Sequence, residues 1–202
     1  MTPLKRIWHF LWEEDSIWSW IVNIVLAFIL IKFVVYPGLG LLLGTTHPIV
    51  AVVSGSMEHD GTFNYWWHEF PCCRDQLCTQ SVSQKETYTD YGINEEAFGQ
   101  FPFKNGFNKG DIMILWRTTN TKLGDVLVFN ADHRLDPIIH RVVDVDIVDG
   151  KKVYKTKGDH NCYSADFEKY IREENAIGKA VLRIPLLGYI KLAFVGLLEM
   201  VK

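Results

Sequence analysis

One long apolar stretch near the N-terminus stands apart from the rest of the chain. Residues 18–36 are nearly all apolar, and about 20 apolar residues are enough for a helix to cross a bilayer. Aromatic residues suited to the membrane interfaces lie at its ends, and a Pro-Gly pair follows. The stretch therefore predicts one transmembrane anchor over residues 17–37. The interrupting polar residues are Ser19, Asn23 and Lys32, the aromatic residues are Trp18, Trp20 and Tyr36, and the pair predicted to end the helix is Pro37 and Gly38.

The segments at the two ends of the chain are also apolar, but shorter. Residues 1–16 contain an amphipathic piece that fits either a helix on the membrane surface or an extension of the anchor. Residues 186–202 are interrupted by charges and predict an interfacial or docking helix, because they are too short for an ordinary second span. A cleaved secretory signal is the alternative to a retained anchor, although the apolar stretch is longer than a signal's hydrophobic region.

Short β-rich runs dominate residues 45–185, which predicts a mostly β domain. The Asp149-Gly150 pair lies between two of these runs and is a strong short-range signal for a hairpin. No internal repeat is present, and nothing resembles a phosphate-binding glycine loop. The predicted strands cover residues 111–116, 125–129, 137–143, 142–148, 151–156 and 180–184.

Residues 59–108 differ from their surroundings and predict an insertion in the β domain. The segment is rich in aromatic and polar residues, has weak periodicity and holds three of the four cysteines. A disulfide of Cys73 or Cys72 with Cys78 is favoured over free thiols or a zinc site, because adjacent cysteines do not easily share one tetrahedral ion. Trp66, Trp67 and Phe70 form an aromatic cluster that either packs within this loop or contacts substrate or membrane. The fourth cysteine, Cys162, is isolated in sequence.

Length and charge narrow the class of protein. The 202 residues allow one medium domain and a membrane segment. The formal net charge is −3, and the basic residues are scattered among acids rather than gathered in a stripe. This distribution argues against a nucleic-acid partner. Lys5 and Arg6 lie ahead of the anchor and favour a cytoplasmic N-terminus.

A candidate nucleophile follows the first β-branched run of this domain. Residues 48–53 lead directly into Ser54-Gly55-Ser56, so a strand that stops at a tight turn would present the Ser56 hydroxyl at its end. Ser-Gly-Ser is also common in ordinary turns. The residues further along the chain favour the catalytic interpretation.

Five short motifs, taken together and in order, resemble type I signal peptidases of the archaeal and endoplasmic-reticulum branch. The resemblance covers nearly the whole chain except residues 59–108. In that family a Ser-Gly-Ser-Met-Glu motif follows the anchor, a His-Arg-Val motif supplies a histidine, and a Lys-Gly-Asp-Asn-Asn motif with a further Asp completes the site. The corresponding groups here are Ser56-Met57, Gly110-Asp111, Gly124-Asp125, Ile139-His140-Arg141-Val142 and Thr156-Lys157-Gly158-Asp159-His160-Asn161.

The resemblance implies a signal-peptidase-like β-fold catalytic domain and assigns roles within it. Ser56 would be the nucleophile and His140 the general base, and Ser54 with the Ser56 amide would line an oxyanion hole. Elementary chemistry agrees, because a serine needs a base and His140 is the only histidine in a strand-like apolar run. No metal or organic cofactor is implied. The bacterial branch uses a lysine base, which has no counterpart at the matching position here.

The acidic member of the site is less clearly specified. Asp166 matches the family's downstream Asp once one extra residue is allowed in 160–165, and it would orient His140. Asp159 would support the site, with the reverse assignment left open. His59 stands where the family has Pro, and it and His68 are alternative bases of low rank.

The expected function is that of a membrane-bound serine endopeptidase cleaving signal peptides from exported preproteins. Small side chains would be preferred at positions −1 and −3 of the substrate. The expected location is the cell membrane, single-pass, with the catalytic domain on the extracytoplasmic side. Partners would be preproteins, the lipid bilayer and secretion-machinery subunits. The alternatives are a membrane-tethered protease with a narrow precursor set and a catalytically idle binding module.

Overall fold

The computed structural model describes residues 2–73, 81–131, 134 and 136–189, without the side chain of Cys73. The chain divides into two compact units, Met1–Thr46 and His47–Lys202. The first contains the apolar helices and the second contains the β domain.

The N-terminal unit begins with two separate helices, α1 (Pro3–Trp12) and α2 (Ile17–Leu30). The side chain of Ser16 caps α2 by accepting a hydrogen bond from the Ser19 amide. Ser19 Oγ donates to the carbonyl of Phe10 at 2.6 Å, and Asn23 Nδ2 donates to the carbonyl of Leu11 at 2.8 Å. The N-terminal segment is therefore a distinct helix, and two polar residues of the apolar stretch satisfy carbonyl groups at the end of α1.

The apolar helix continues past the predicted end at Pro37. A π-helical turn (Ile31–Val35) joins α2 to α3 (Tyr36–Leu43). Proline has no amide hydrogen and clashes with the preceding turn of an α-helix, and the wider π turn directly before Pro37 accommodates it. The continuous helix Ile17–Leu43 has 27 residues, and its most apolar 18-residue window has a mean hydropathy of 2.3, so the helix is long and apolar enough to cross a membrane. It ends at Gly44, whose φ of 66° is left-handed.

A seven-stranded antiparallel sheet forms the β domain and confirms the mostly β prediction. Its strands are β1 (Ile49–Ala51), β4 (Ile112–Trp116), β5 (Val126–Phe129), β6 (Ile138–Val148), β7 (Lys151–Lys157), β8 (Ile171–Arg172) and β9 (Ala176–Ile184), and two 3₁₀ turns lie at Asp166–Glu168 and Glu173–Asn175. The strand order in the sheet is β1-β4-β9-β5-β6-β7-β8, and β2 and β3 belong to the insertion. Each predicted β-rich run lies in a strand, with the runs 137–143 and 142–148 both in β6, and the predicted hairpin joins β6 to β7 through Asp149 and Gly150.

The insertion forms a small layer with its own apolar core. Its elements are short, and a capping box of Ser83 and Glu86 begins the helix Gln84–Thr89. Trp66 and Trp67 are fully buried with Val143 of β6 in the same cluster, so they pack within the insertion and against the sheet. The elements are α4 (Phe63–His68), a two-stranded ladder of β2 (Cys72–Cys73) and β3 (Ser81–Val82), α5 (Gln84–Thr89) and α6 (Glu95–Gly99).

After β9 the chain leaves the sheet at residues 185–189, where Leu186, Leu187 and Tyr189 are exposed. The greater part of the predicted C-terminal helix, residues 190–202, lies outside the described residues.

Candidate active site

Ser56 lies in the turn that follows β1, as the sequence predicts. The next residue, Met57, is fully buried in the main apolar cluster and fixes this turn to the core. Ser56 Oγ lies 2.8 Å from His140 Nε2 and 3.2 Å from Ser54 Oγ. The structure thus brings together the predicted nucleophile, the predicted base and the serine predicted for the oxyanion hole.

His140 is held by the sheet and by a carboxylate. It lies in β6, where it pairs with Leu127 of β5, and it is buried. Its Nδ1 is hydrogen-bonded to Glu168 Oε1. An imidazole that donates from Nδ1 to a carboxylate presents Nε2 as the acceptor for a hydroxyl proton. Two hydrogen bonds therefore connect Ser56 to His140 and His140 to Glu168.

Glu168 is the acidic residue that the sequence analysis missed. Its side chain is almost fully buried, and its oxygens also accept hydrogen bonds from Thr156 Oγ1 at 3.2 Å and from the amide of Ala165 at 3.0 Å. These partners compensate for the removal of the carboxylate from water. The sequence analysis predicted an acidic residue in this segment, but it selected Asp166 because the family motif contains an aspartate.

Asp166 does not reach the histidine. Its side chain is 96% exposed and forms an ion pair of 2.6 Å with Lys169. The hydrogen bond from Lys169 lowers the pKa of the Asp166 carboxyl. Because Asp166 begins a 3₁₀ turn and Glu168 ends it, the two side chains leave the backbone in different directions. The predicted contact between Asp166 and His140 is absent from the structure, and Glu168 makes it instead.

Asp159 lies in a buried charge cluster adjoining the site. It accepts hydrogen bonds from Arg141 Nη2 at 2.7 Å, Tyr88 Oη at 2.6 Å and His59 Nε2 at 2.9 Å. Burial alone would raise the pKa of Asp159, but the guanidinium of Arg141 and the hydrogen bond from His59 hold it well below its usual range. Asp159 therefore stays ionised, and it contacts the residue next to His140 rather than His140 itself.

The two low-ranked histidines do not contact Ser56. His59 is buried against Asp159, and its ring stacks on Trp66 with 3.5 Å between the ring centroids. His68 pairs with Glu95 at 3.1 Å in a partly exposed position. The replacement of the family's Pro by His59 thus gives the insertion a direct contact with the charge cluster.

An open cleft of about 1100 Å³ gives access to the candidate site. Polar groups line one part of it, including Ser54, Ser56 and His140, and apolar side chains such as Ala51 and Val53 line another. A cleft of this size admits an extended peptide segment. Residues 160–163 form a further part of the wall.

Gly158 allows the chain to pass close to the Ser56–His140 pair. A Cβ at this position would lie 2.8 Å from the Ser56 carbonyl oxygen and 2.9 Å from His140 Nε2. Both distances are too short for real Cβ contacts, so a larger residue would displace one of these groups. The glycine of the Lys-Gly-Asp pattern is therefore required because a larger residue does not fit beside Ser56 and His140.

We expect Gly158→Ala to lower kcat/KM for a peptide substrate by about 100-fold, because a displacement of about 1 Å between reacting groups can have this effect. Gly99→Ala is the matched control, since a Cβ there meets nothing within 4 Å. Steady-state kinetics with circular dichroism of both variants makes the comparison. Full activity of a folded Gly158→Ala variant would contradict the close approach.

A disulfide joins the insertion to the wall of the cleft. Cys72 of β2 is bonded to Cys162, 90 residues further along the chain. The predicted pairing of Cys72 with Cys78 is therefore wrong, and the predicted alternative of Cys73 with Cys78 falls outside the described residues. Spacing along the sequence favoured a local pair, whereas the fold brings β2 beside residues 160–163.

We expect loss of this disulfide to destabilise the β domain by about 4 kcal/mol, because a crosslink between distant residues restricts the unfolded chain. The double variant Cys72→Ala/Cys162→Ala should show a lower thermal unfolding midpoint, and dithiothreitol should lower the midpoint of the parent protein. EDTA is the control treatment, because an effect of the chelator would indicate a metal site instead. An unchanged midpoint in the double variant would contradict this expectation.

The sheet, the candidate membrane-spanning helix and the Ser–His–carboxylate geometry agree with a signal-peptidase-like fold, and comparisons with known proteins give the same class. The chain is similar to the signal peptidase complex catalytic subunit SEC11 of Yarrowia lipolytica, with 35% identity over 91 residues, 42% of this chain and 53% of the relative. The SEC11 subunit of Lachancea thermotolerans is 39% identical over 94 residues, 42% of this chain and 55% of the relative.

A longer match reaches the SEC11 subunit of Scheffersomyces stipitis, with 27% identity over 165 residues, 78% of this chain and 72% of the relative. The first two matches span about half the length of those relatives. No family model matches the chain. The resemblance to signal peptidases is thus confirmed, because these relatives are named catalytic subunits of the signal peptidase complex.

Proposed function

We propose that this chain is a membrane-anchored serine endopeptidase that removes N-terminal signal peptides from exported preproteins. The observation that carries the proposal is the 2.8 Å contact between Ser56 Oγ and His140 Nε2 at the wall of an open cleft. The similarity to SEC11 catalytic subunits supports the choice of substrate.

The proposed reaction proceeds by acyl transfer. His140 Nε2 takes the proton of Ser56 as Oγ attacks the scissile carbonyl, and the same nitrogen then gives that proton to the leaving amine. His140 then deprotonates a water molecule that attacks the acyl carbon, and the imidazolium returns this proton to Ser56 Oγ as the ester bond breaks and the new carboxylic acid leaves. Glu168 holds the imidazole and stabilises the imidazolium that forms in each step.

Ser54 is the proposed side-chain donor for the developing oxyanion. Its hydroxyl lies 3.2 Å from Ser56 Oγ and faces the same cleft. With the Ser56 amide, it would bind the negatively charged oxygen of the tetrahedral intermediate. By the family resemblance, the substrate would carry small side chains at positions −1 and −3.

The proposed location is the membrane, with the catalytic unit on the extracytoplasmic side. The helix Ile17–Leu43 supplies a candidate single span. The disulfide between Cys72 and Cys162 supports an oxidising compartment for the β domain. Anchoring confines enzyme and substrate to one plane and raises their effective concentration. By analogy with the SEC11 relatives, which are subunits of a complex, the chain would act together with further membrane subunits.

A purified preprotein provides the test. The full chain in detergent micelles is incubated with a model preprotein, and mass spectrometry identifies the new N-terminus. We expect cleavage at the signal-peptide boundary by the parent protein and none by Ser56→Ala. Cleavage at scattered sites, or equal cleavage by both proteins, would refute the proposed function.

A further inference from the structure

Gln84 of the insertion connects α5 to the wall of the cleft. Its side chain is fully buried. Nε2 donates to the Asn161 carbonyl at 3.3 Å and contacts Cys72 Sγ at 3.1 Å, while Oε1 accepts from Lys157 Nζ at 2.9 Å. One amide of the insertion therefore contacts both ends of the segment 157–161 and one sulfur of the disulfide.

The ammonium of Lys157 has three acceptors for its three protons. Besides Gln84 Oε1, Nζ donates to the carbonyl of Gly158 at 3.0 Å and to the carbonyl of Asn161 at 2.6 Å. The ring of Tyr88 packs against the same group at 4.3 Å. A neutral amine has only two donors and a lone pair. The protonated form alone satisfies all three oxygens.

The segment held by Lys157 touches the proposed catalytic pair. The amide of His160 donates to the Ser56 carbonyl at 2.9 Å. Gly158 also lies close to the Ser56 carbonyl oxygen and to His140 Nε2. A shift of this turn therefore moves the serine relative to the imidazole.

We propose that Gln84 is a positioning residue, through which the insertion sets the Ser56–His140 geometry by fixing Lys157 and the turn 158–161. The inference rests on the proposed function for its substrate, but the contacts that carry it do not depend on which peptide is cleaved. The insertion thereby contributes to turnover without supplying a group that touches the substrate.

The positioning role of Gln84 can be tested through the protonation of Lys157. Burial lowers the pKa of Lys157 to about 7. The positive charge of Arg141 also lowers this pKa, whereas the carboxylates of Asp159 and Glu168 raise it. Since the folded-state pKa lies below the usual value, Lys157 is protonated below about pH 7 and loses its third donor as the pH rises through that value. A carboxylate at position 84 would raise the pKa of Lys157 and extend the protonated range upward.

The test compares Gln84→Ala and Gln84→Glu in the full chain in detergent micelles. We expect Gln84→Ala to lower kcat for a signal-peptide substrate about tenfold and to change KM by less than kcat, because most of the cleft lining lies outside the turn 158–161. Gln84→Glu should recover kcat to within about threefold and shift the alkaline limb of kcat to higher pH. Lys85→Ala, exposed on the same helix, is the matched control and should behave as the parent protein.

A second measurement separates this inference from the proposed function. The burst of p-nitrophenol from p-nitrophenyl acetate reports acylation of the serine without signal-peptide recognition, with Ser56→Ala as the blank. A slower burst in Gln84→Ala supports the positioning role even if no preprotein is cleaved. Parent-like kcat and burst in Gln84→Ala would overturn it. Equal losses in both Gln84 variants, with lower unfolding midpoints and no shift of the pH limb, would also overturn it.

Discussion

Replacing Ser56 or His140 with alanine is expected to lower kcat by roughly 10⁴- to 10⁶-fold, because nucleophile and base act as a unit. The expectation follows from the 2.8 Å contact between the two side chains and from the position of both in the cleft wall. The Ser56→Ala/His140→Ala double variant should be no slower than either single variant. Cleavage of a peptide that spans a signal-peptide boundary, followed by mass spectrometry, measures the loss.

His68→Ala is the matched control for this prediction. His68 lies in the insertion and pairs with Glu95, so its loss should leave turnover within about twofold of the parent value. Circular dichroism and thermal unfolding establish that the inactive variants are folded. Substantial cleavage by a folded Ser56→Ala or His140→Ala variant would rule out the proposed mechanism.

Removing the charge of Glu168 should have the second largest effect. Glu168→Gln keeps the size of the side chain but lets an amide face Nδ1 of His140, so the imidazole loses its carboxylate partner and its preferred tautomer. We expect kcat to fall by about 10²- to 10⁴-fold, as for other histidine bases that lose their acidic partner. The pH profile of kcat should change together with the rate.

Asp166→Asn provides the decisive comparison for Glu168. Its carboxylate is exposed and paired only with Lys169 among the contacts described, so the variant should retain kcat within about twofold. If Asp166→Asn were the slower of two folded variants, the assignment made from the family pattern would be restored. The comparison therefore shows whether Asp166, as the family motif predicts, or Glu168, as in the structure, is the acidic partner of His140.

The buried charges near the candidate site connect the insertion to the sheet. Arg141 and Asp159 carry opposite charges in a fully buried position, and removing one partner of such a pair leaves an uncompensated charge. Tyr88 from the insertion completes the set of donors to Asp159. The core of the insertion packs against this cluster, and its buried aromatic residues are Trp66, Trp67, Tyr88 and Phe98.

The sequence by itself predicted most strands of the large sheet, but not β8 or the short elements of the insertion, and it predicted Ser56 at a strand end and His140 within a strand. Runs of β-branched residues and the Asp149-Gly150 turn pair predicted these strands, because strand propensity and turn chemistry are local properties of the chain. Ser56 and His140 were found by the order of short motifs, and each lies at a strand or a strand end. The end of the apolar helix was predicted less well, since a π turn lets the chain continue through Pro37.

Only the tertiary structure decided which groups meet across long separations. The choice of Glu168 over Asp166 depends on the direction in which a 3₁₀ turn presents each side chain, and a spacing of two residues does not encode that direction. The pairing of Cys72 with Cys162 depends on how the insertion packs against the cleft wall. Sequence patterns report the neighbours of a residue along the chain, whereas catalysis requires contacts between distant segments that the packed core alone brings together.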